Sequence, residues 1–484
     1  MVHGCILLTS NKMATAVIRR CLRGWKQHPF SSSVRVCALS TREGRWGKKG
    51  TEFMIDARGL GKYVRAVNET EGVGLDIEAV KEPLSDLAKE IKRHIMIQGP
   101  ISIHEYMVLT TNHSRLGYYH QNRDQIGTDG DFITSPEISQ IFGEMIAVWC
   151  ISVWEKMGSP EKVNLVEMGP GRGTLMKDLL RTLSRFPRLK NIFKISLIEL
   201  SDHMKKIQGE NLSQGDFEEI PIDWYSSLDE ISAEIPILFI GQEVLDTFPI
   251  RQFQYTEKGW TEIMVDIDPT SETSNHFRFV LSSEAAESMV IFKGSGHTSL
   301  DSKEELESKI GDRIEYNPLA LSTVEKVSKL IKASKGAALF FDYGERYCQK
   351  DTLRGFRKHK EAHVLSEPGL VDITADVDFL ACENIAKKNG VNVEKTVTQG
   401  DFLIGMGAVS RIEQLINDDN TTDEQATLLV ESFKKIVHPD EMGKRFKVLG
   451  LSNLGGGSRE GQIEVGEGKK GSLVDAHSNN LPGF

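Results

Sequence analysis

The chain has 484 residues, 39% of them hydrophobic and 26% charged, with 59 Lys and Arg against 69 Asp and Glu and a net charge of −10. That length holds two or three domains and a sizeable core, so stability requires neither disulfides nor a structural metal, and no run approaches the roughly 18 apolar residues of a membrane span. An acidic surface repels phosphate backbones and attracts basic segments, which argues against nucleic acid and for a basic protein segment as partner.

The charge is unevenly placed. Residues 1–50 carry ten Lys and Arg and one acid, Glu43, a net of +9 that leaves −19 for the remainder. Arg19, Arg20, Arg23 and Lys26 interleave with Val17, Cys21, Leu22 and Trp25. This Arg-rich, acid-poor amphipathic pattern is that of a mitochondrial transit peptide, and it points to the matrix. A basic tail that binds an acidic partner is the alternative reading. The six cysteines, at 5, 21, 37, 150, 348 and 382, show no Cys-x-x-Cys spacing, so neither a zinc site nor a disulfide framework is indicated.

Past the leader, Leu84, Leu87, Ile91 and Ile95 have the spacing of an amphipathic helix over 83–97, stopped by Gly99-Pro100. A second short helix is expected over 102–110. Ser135 and Pro136 form a good helix start, Ser135 as cap and Pro136 in the first turn, and the helix runs to about Met157 with Ile138, Ile141, Phe142, Met145, Ile146 and Trp149 on its core face. From Val163 short apolar strands alternate with helices: strands over 163–168, 194–200, 236–241 and 336–342, helices over 174–185, 202–211 and 319–334. That alternation predicts an α/β fold with a mostly parallel sheet flanked by helices. Between 250 and 282 the pattern turns strand-like around Lys258-Gly259, an antiparallel addition that extends the sheet or covers one edge. Residues 345–400 have weak periodicity, and two helices are expected over 408–437. The last 32 residues hold eight Gly in polar company, a composition that predicts disorder.

The chemistry starts at Val163-Asn164-Leu165-Val166-Glu167-Met168-Gly169-Pro170-Gly171-Arg172-Gly173-Thr174, where a predicted strand meets a predicted helix. Gly169, Gly171 and Gly173 let the backbone turn sharply and leave no β-carbon against a ligand at the carboxyl edge of the sheet. Glu167 at the strand tip suits the methionine ammonium of S-adenosylmethionine. The dinucleotide fingerprint places its third glycine one residue later and puts pyrophosphate on the turn, where a neighbouring carboxylate is unfavourable. A nicotinamide or flavin site and a merely structural turn stay open as lesser readings. Glu199, at the next strand tip, suits the ribose hydroxyls, with a capping or surface role as the alternative. Asp216 is a candidate for the adenine contact.

An apolar strand next runs into Glu243 and Asp246, three residues apart, where an acceptor would meet the methyl group. Carboxylates can hold a guanidinium by paired hydrogen bonds, and methyl transfer needs positioning more than acid or base help. Helix capping is the plain alternative, more so for Asp246. Asp342 and Tyr343 end a later strand and are expected at the same rim. His359, His363, Asp372, Asp376 and Asp378 lack any helix-spaced ligand pair, so no metal is expected.

The chain resembles the MidA-like proteins over residues 82–449, through Gly99-Pro100-Ile101, Glu105-Tyr106-Met107, Gly117-Tyr118-Tyr119, the unbroken run from Gly130 to Glu144, the glycine turn, and Asp372 to Phe379. It departs from the family's mitochondrial members at Gln242, Val244 and Leu245, where they tend to have His and two aromatics. The resemblance implies a Rossmann-like S-adenosylmethionine-dependent methyltransferase fold and symmetric dimethylation of an arginine on a core matrix-arm subunit of respiratory complex I, early in its assembly. It also implies that the loop over 130–137, with Asp131, Thr134 and Ser135, covers the cofactor. A catalytically weak assembly chaperone with the same fold is the alternative. The expected organisation is a basic leader over 1–50, an N-terminal helical region over 56–158, a methyltransferase domain over 159–450 and a tail over 453–484.

Overall fold

The computed structural model describes residues 85–454, apart from 122–124, 128–129, 190–191, 214–219, 270–275 and 284–307. The leader over 1–50, residues 56–84, Asp216 and the Gly-rich stretch from 455 onward lie outside the described residues.

Helix α1 (Asp86–Gln98) starts where Ser85 Oγ accepts from Ala88 N at 3.1 Å, and it buries Leu87, Ala88, Ile91 and Ile95. Strand β1 (Ile101–Ser102) leads into α2 (Ile103–Asn112), capped by Ser102. The helix expected from Ser135 to Met157 is two helices, α3 (Ser135–Ile138) and α4 (Gln140–Lys156), with Thr134 rather than Ser135 at the N-cap. Ser139 between them is extended at φ −152°, and its N–H closes the first turn onto Ser135 O at 3.2 Å. The apolar periodicity runs unbroken across that position, so the pattern alone could not show the kink.

The alternating segment comprises β2 (Val163–Met168), α5 (Thr174–Leu183), β3 (Phe193–Ile198), α6 (Asp202–Leu212), β4 (Ile222–Tyr225) and β5 (Ile237–Gln242). Next come β6 (Arg251–Thr256), β7 (Gly259–Ile267), β8 (Phe277–Leu281), β9 (Arg313–Tyr316), α7 (Pro318–Ser334) and β10 (Ala337–Glu345). The stretch of weak periodicity holds β11 (Arg354–Arg357), β12 (Lys360–Ala362), β13 (Asp372–Thr374), β14 (Val377–Asp378), α8 (Phe379–Lys388), β15 (Asn392–Val393) and β16 (Val397–Thr398). Helices α9 (Gln399–Gly405), α10 (Ala408–Ile416), α11 (Asp423–Val437) and α12 (Met442–Arg445) precede β17 (Phe446–Ser452).

The central sheet has nine strands, in the order β15-β17-β10-β5-β2-β3-β4, with β14 beside β10 and β16 beside β17. Strands β4, β3, β2, β5 and β10 are parallel, and β17 runs antiparallel to β10. The chain builds outward from β2 through β3 to β4 and then returns to lay β5 on the other side of β2. The crevice at such a reversal, beyond the carboxyl ends of the strands, is where open α/β sheets bind ligands. Strand β17 is buried throughout and was not expected: a short apolar run after a helix carries no period that separates strand from helix.

Adjacent residues of β10 anchor both faces of this sheet, because side chains alternate along a strand. Phe340 packs against Phe239 at 5.4 Å between ring centroids on one face, while Phe341 meets Phe142 at 5.1 Å and Phe402 at 5.2 Å on the other.

The antiparallel segment does not extend this sheet. It forms a five-stranded sheet of its own, β1-β7-β6-β9 with β8 on β7. A second core of Leu87, Ile91, Tyr106, Met107, Ile263, Val265 and Ile373 joins it to α1, α2 and β13. Among the described residues no helix is long and apolar enough to cross a membrane.

Candidate active site

The glycine turn sits at the carboxyl end of β2, at the reversal point. Gly169, Gly171 and Gly173 have φ of 65°, 54° and 81°, the left-handed region that penalises any residue with a β-carbon. A β-carbon on Gly171 would also lie 2.8 Å from Ile126 Cδ1, and one on Gly169 would lie 3.4 Å from Val244 Cγ2, so the turn abuts both the segment before 130 and the tip of β5. Gln208 of α6 braces it, donating to Gly171 O at 2.8 Å and to Glu199 Oε2 at 3.1 Å while accepting from Trp224 Nε1 at 2.8 Å. Glu199 lies just beyond β3, its other oxygen accepting from Ser201 N at 2.8 Å, and burial raises its carboxyl above the ordinary value.

Glu167 is 2% exposed and its Oε2 has no hydrogen-bond partner. Burial pushes this carboxyl up to about 8. A buried acid left unpaired is destabilising, and its retention calls for a ligand that supplies a donor or a positive charge.

A second group of acids lies at the tips of β5 and β10. Glu243 has φ 49°, rare for a residue with a side chain, and its N–H donates to Phe341 O at 2.8 Å. Such strain at a strand tip is held by its surroundings and is typical of working sites. Glu243 Oε1 accepts from Gln242 Nε2 and, at 3.4 Å, from Ser135 N; burial and the neighbouring Asp246 push its carboxyl up to about 8. Asp246 is buried, with Oδ2 accepting from the Tyr343 hydroxyl and Oδ1 without a partner. Its carboxyl is raised to about 6 by burial, against the opposing effect of the Tyr343 hydrogen bond.

Asp342 is fully buried and turned to the main chain. It accepts from Leu245 N at 2.9 Å, Asp246 N at 3.3 Å and Tyr343 N at 3.0 Å, and so fixes the loop that carries Glu243 and Asp246.

Residues 145–397 match the family described as "Putative S-adenosyl-L-methionine-dependent methyltransferase". Over 396 residues the chain is 36% identical to "Protein arginine methyltransferase NDUFAF7, mitochondrial" of Danio rerio, covering 76% of this chain and 88% of that protein. The Homo sapiens protein of the same name is 33% identical over 410 residues, 81% and 87% of the two chains. The chain belongs to this methyltransferase family.

A crystal structure of a COG1565 superfamily member from Burkholderia thailandensis, bound to S-adenosyl-homocysteine, has the same fold at a TM-score of 0.64, with 24% identity over 77% of this chain and 92% of that one. As a family member this chain uses S-adenosylmethionine, and the residues at the β2 tip fit that molecule. Glu167 Oε2 is the unpaired buried acceptor that an ammonium requires, and the three left-handed glycines leave the approach free of β-carbons.

The loop over 130–137 joins the two groups. Glu137 Oε1 accepts from Thr174 Oγ1 at the start of α5 and its Oε2 lies 3.6 Å from Arg172 Nη1, while Ser135 reaches Glu243 through its N–H and Gln399 Oε1 through its hydroxyl at 3.3 Å. Thr134 is the N-cap of α3 but makes no side-chain capping bond. Asp131 faces elsewhere: Oδ2 accepts from Tyr118 OH at 2.9 Å, Oδ1 accepts from Lys358 N at 2.8 Å, and its carbonyl accepts from His359 N at 2.9 Å. Lys358 and His359 form the turn between β11 and β12 at φ 49° and 58°, a turn that usually takes Asn-Gly, and Asp131 holds it in that form.

Sequence reasoning missed Gln208, Glu137 and Arg354. The first two look like ordinary helix residues, each 37 positions from its partner at the glycine turn, and nothing local in the sequence marks them. Arg354 lies in the stretch of weak periodicity and carries no motif, and the register of β11 on β13 is what places it.

Proposed function

We propose that this chain is a mitochondrial matrix enzyme that symmetrically dimethylates an arginine on a core matrix-arm subunit of complex I, a step needed early in assembly of that complex. The observation that carries the reading is the acid pair beside the glycine turn: Glu243 on a strained backbone and Asp246 with a buried oxygen that lacks a donor. A guanidinium supplies planar paired donors and a delocalised positive charge, which this pair lacks. Relatives named as mitochondrial protein arginine methyltransferases support the acceptor class and the compartment, as does the basic leader. Symmetry, the complex I substrate and its timing rest on the resemblance to the MidA-like proteins.

In this reading residues 159–450 form the methyltransferase domain, 56–158 the N-terminal helical region with the cofactor-covering loop, 1–50 the import leader and 453–484 a tail. S-adenosylmethionine, when bound, supplies an electrophilic methyl group on its sulfonium. Glu167 accepts from its ammonium, Glu199 from its ribose, and the turn at Gly169, Gly171 and Gly173 admits it. Thr134 and Ser135 belong to the covering loop, with Asp131 bracing that loop from behind. Asp246 and Glu243 hold the guanidinium so that one nitrogen faces the methyl group. Glu243 then takes the proton that the methylated nitrogen releases.

The test is methylation of peptides from the matrix-arm core subunits by purified chain with labelled S-adenosylmethionine, read by mass spectrometry. Symmetric dimethylarginine that disappears in Glu243→Gln is the expected result. Absence of arginine methylation, or asymmetric dimethylarginine alone, overturns the reading.

A further inference from the structure

Tyr343, which donates to Asp246, lies against two guanidinium groups. The central carbon of Arg354 is 4.7 Å from the centre of the Tyr343 ring and that of Arg445 is 5.7 Å away. Both arginines bind the same oxygen, Asp376 Oδ1, at 2.7 and 2.6 Å. Asp376 is buried and its N–H donates to Thr352 Oγ1 at 2.8 Å; that hydroxyl donates to Glu315 Oε2 at 2.5 Å. The clamp therefore draws on β10, β11, the turn after β13 and the end of α12.

Two positive charges against one carboxylate leave a net positive charge beside the Tyr343–Asp246 hydrogen bond. A cation over an aromatic face is attracted by the ring, and a cation near a buried acid favours the ionised form of that acid. Asp246 needs such help, because its Oδ1 is buried without a donor.

We propose that Arg354, supported by Arg445 and Asp376, is a positioning residue that acts through Tyr343 to hold Asp246 ionised, making Asp246 the anionic anchor for the acceptor and leaving Glu243 to take the proton. The proposal deepens the arginine-methylation reading and rests on it. The charged and titratable groups around the Asp246–Glu243 pair include Asp342 and Tyr343 from β10, Arg354 from β11, Asp372 from β13, Asp376 from the turn beyond it, and Tyr119, which donates to Asp372. Arg354 lowers the Asp246 carboxyl and Asp376 raises it. Glu243, raised by burial and by the neighbouring Asp246, stands at about 8, against about 6 for Asp246. Two acids whose surroundings separate them in this way divide the roles of anchor and base.

Arg354→Met keeps an unbranched stem, two atoms shorter, and removes the charge; Arg354→Lys restores charge without the planar group. In protein labelled with ¹³C at the aspartate carboxyls, with the Asp246 signal assigned from Asp246→Asn, the Asp246 titration midpoint should rise by about one pH unit in Arg354→Met and by less in Arg354→Lys. The acid limb of kcat/KM on an arginine peptide should move with it, a loss of about fivefold at pH 6 that approaches tenfold at lower pH and closes by pH 9. Should Arg354→Met fail to fold, Arg445→Met should move both readouts in the same direction by a smaller amount. An unmoved Asp246 midpoint with a rate lowered equally at every pH overturns the proposal. A wild-type chain inert on arginine peptides whose midpoint still moves in Arg354→Met overturns the acceptor reading and leaves the link from Arg354 to Asp246 standing.

Discussion

The main-chain N–H of Ser135 donates to Glu243 Oε1 at 3.4 Å, so the first turn of α3 is fastened to the tip of β5 across 108 positions of sequence. A donor to an ionised carboxylate favours the ionised form. Proline at 135 removes that donor with little distortion, because the position is the first of the helix and Thr134 is already extended at ψ 163°. Ser135→Pro should lower turnover roughly three- to tenfold near neutral pH, whereas Ser135→Ala, which loses only the Gln399 contact, should change it less than about twofold. Equal losses in the two variants would show that the N–H does not matter.

The pairing state of Glu167 can be read from stability. Its carboxyl stands at about 8 in the folded chain against an ordinary 4.5, so the stability associated with the protonated form is intact below 4.5 and is lost as pH rises through 8. Glu167→Gln removes that loss. The variant should match the parent near pH 4.5 and exceed it by a few kcal/mol at pH 9, while its affinity for S-adenosylhomocysteine falls at least about tenfold. Parallel stability curves from pH 5 to 9 would mean that Glu167 is ionised and partnered in the free protein.

Gly171→Val meets two obstacles at once, a φ of 54° and Ile126 Cδ1 at 2.8 Å from the added β-carbon. The variant should lose roughly 1–3 kcal/mol of stability and all measurable binding of S-adenosylhomocysteine in titration calorimetry. Unchanged affinity would place the cofactor elsewhere. Restored complex I assembly by this variant, in cells lacking the chain, would favour a chaperone role over catalysis.

For Glu243, burial beside Asp246 raises the value to about 8, so the ionised, proton-accepting form accumulates only as pH climbs through that point. The parent's kcat/KM on an arginine peptide should rise from pH 5 to 9, with Asp246 contributing near 6 and Glu243 near 8. Glu243→Gln should bind cofactor as the parent does and lose roughly a hundredfold or more in kcat. A profile that is flat or falls between pH 6 and 9 would remove Glu243 from proton transfer.

Much of this site was legible along the chain because its cofactor half is local. Strand, glycine turn and helix follow one another within 163–185, and a turn that needs three left-handed residues beside a carboxylate leaves its mark in consecutive letters. The alternation of apolar strands with amphipathic helices determined the fold class for the same reason, since each element's burial pattern repeats within its own length.

What only the tertiary structure decided is every assignment that depends on residues far apart in sequence. Asp131 and Asp342 are acids at plausible positions, yet one holds a hairpin turn more than two hundred residues away and the other holds the β5 loop by main-chain donors. Arg354 and Arg445 meet on Tyr343 only because β10, β11 and the end of α12 converge. A carboxylate's chemistry follows from burial and from the donors that reach it, and both are set by the packing of distant segments rather than by the letters on either side.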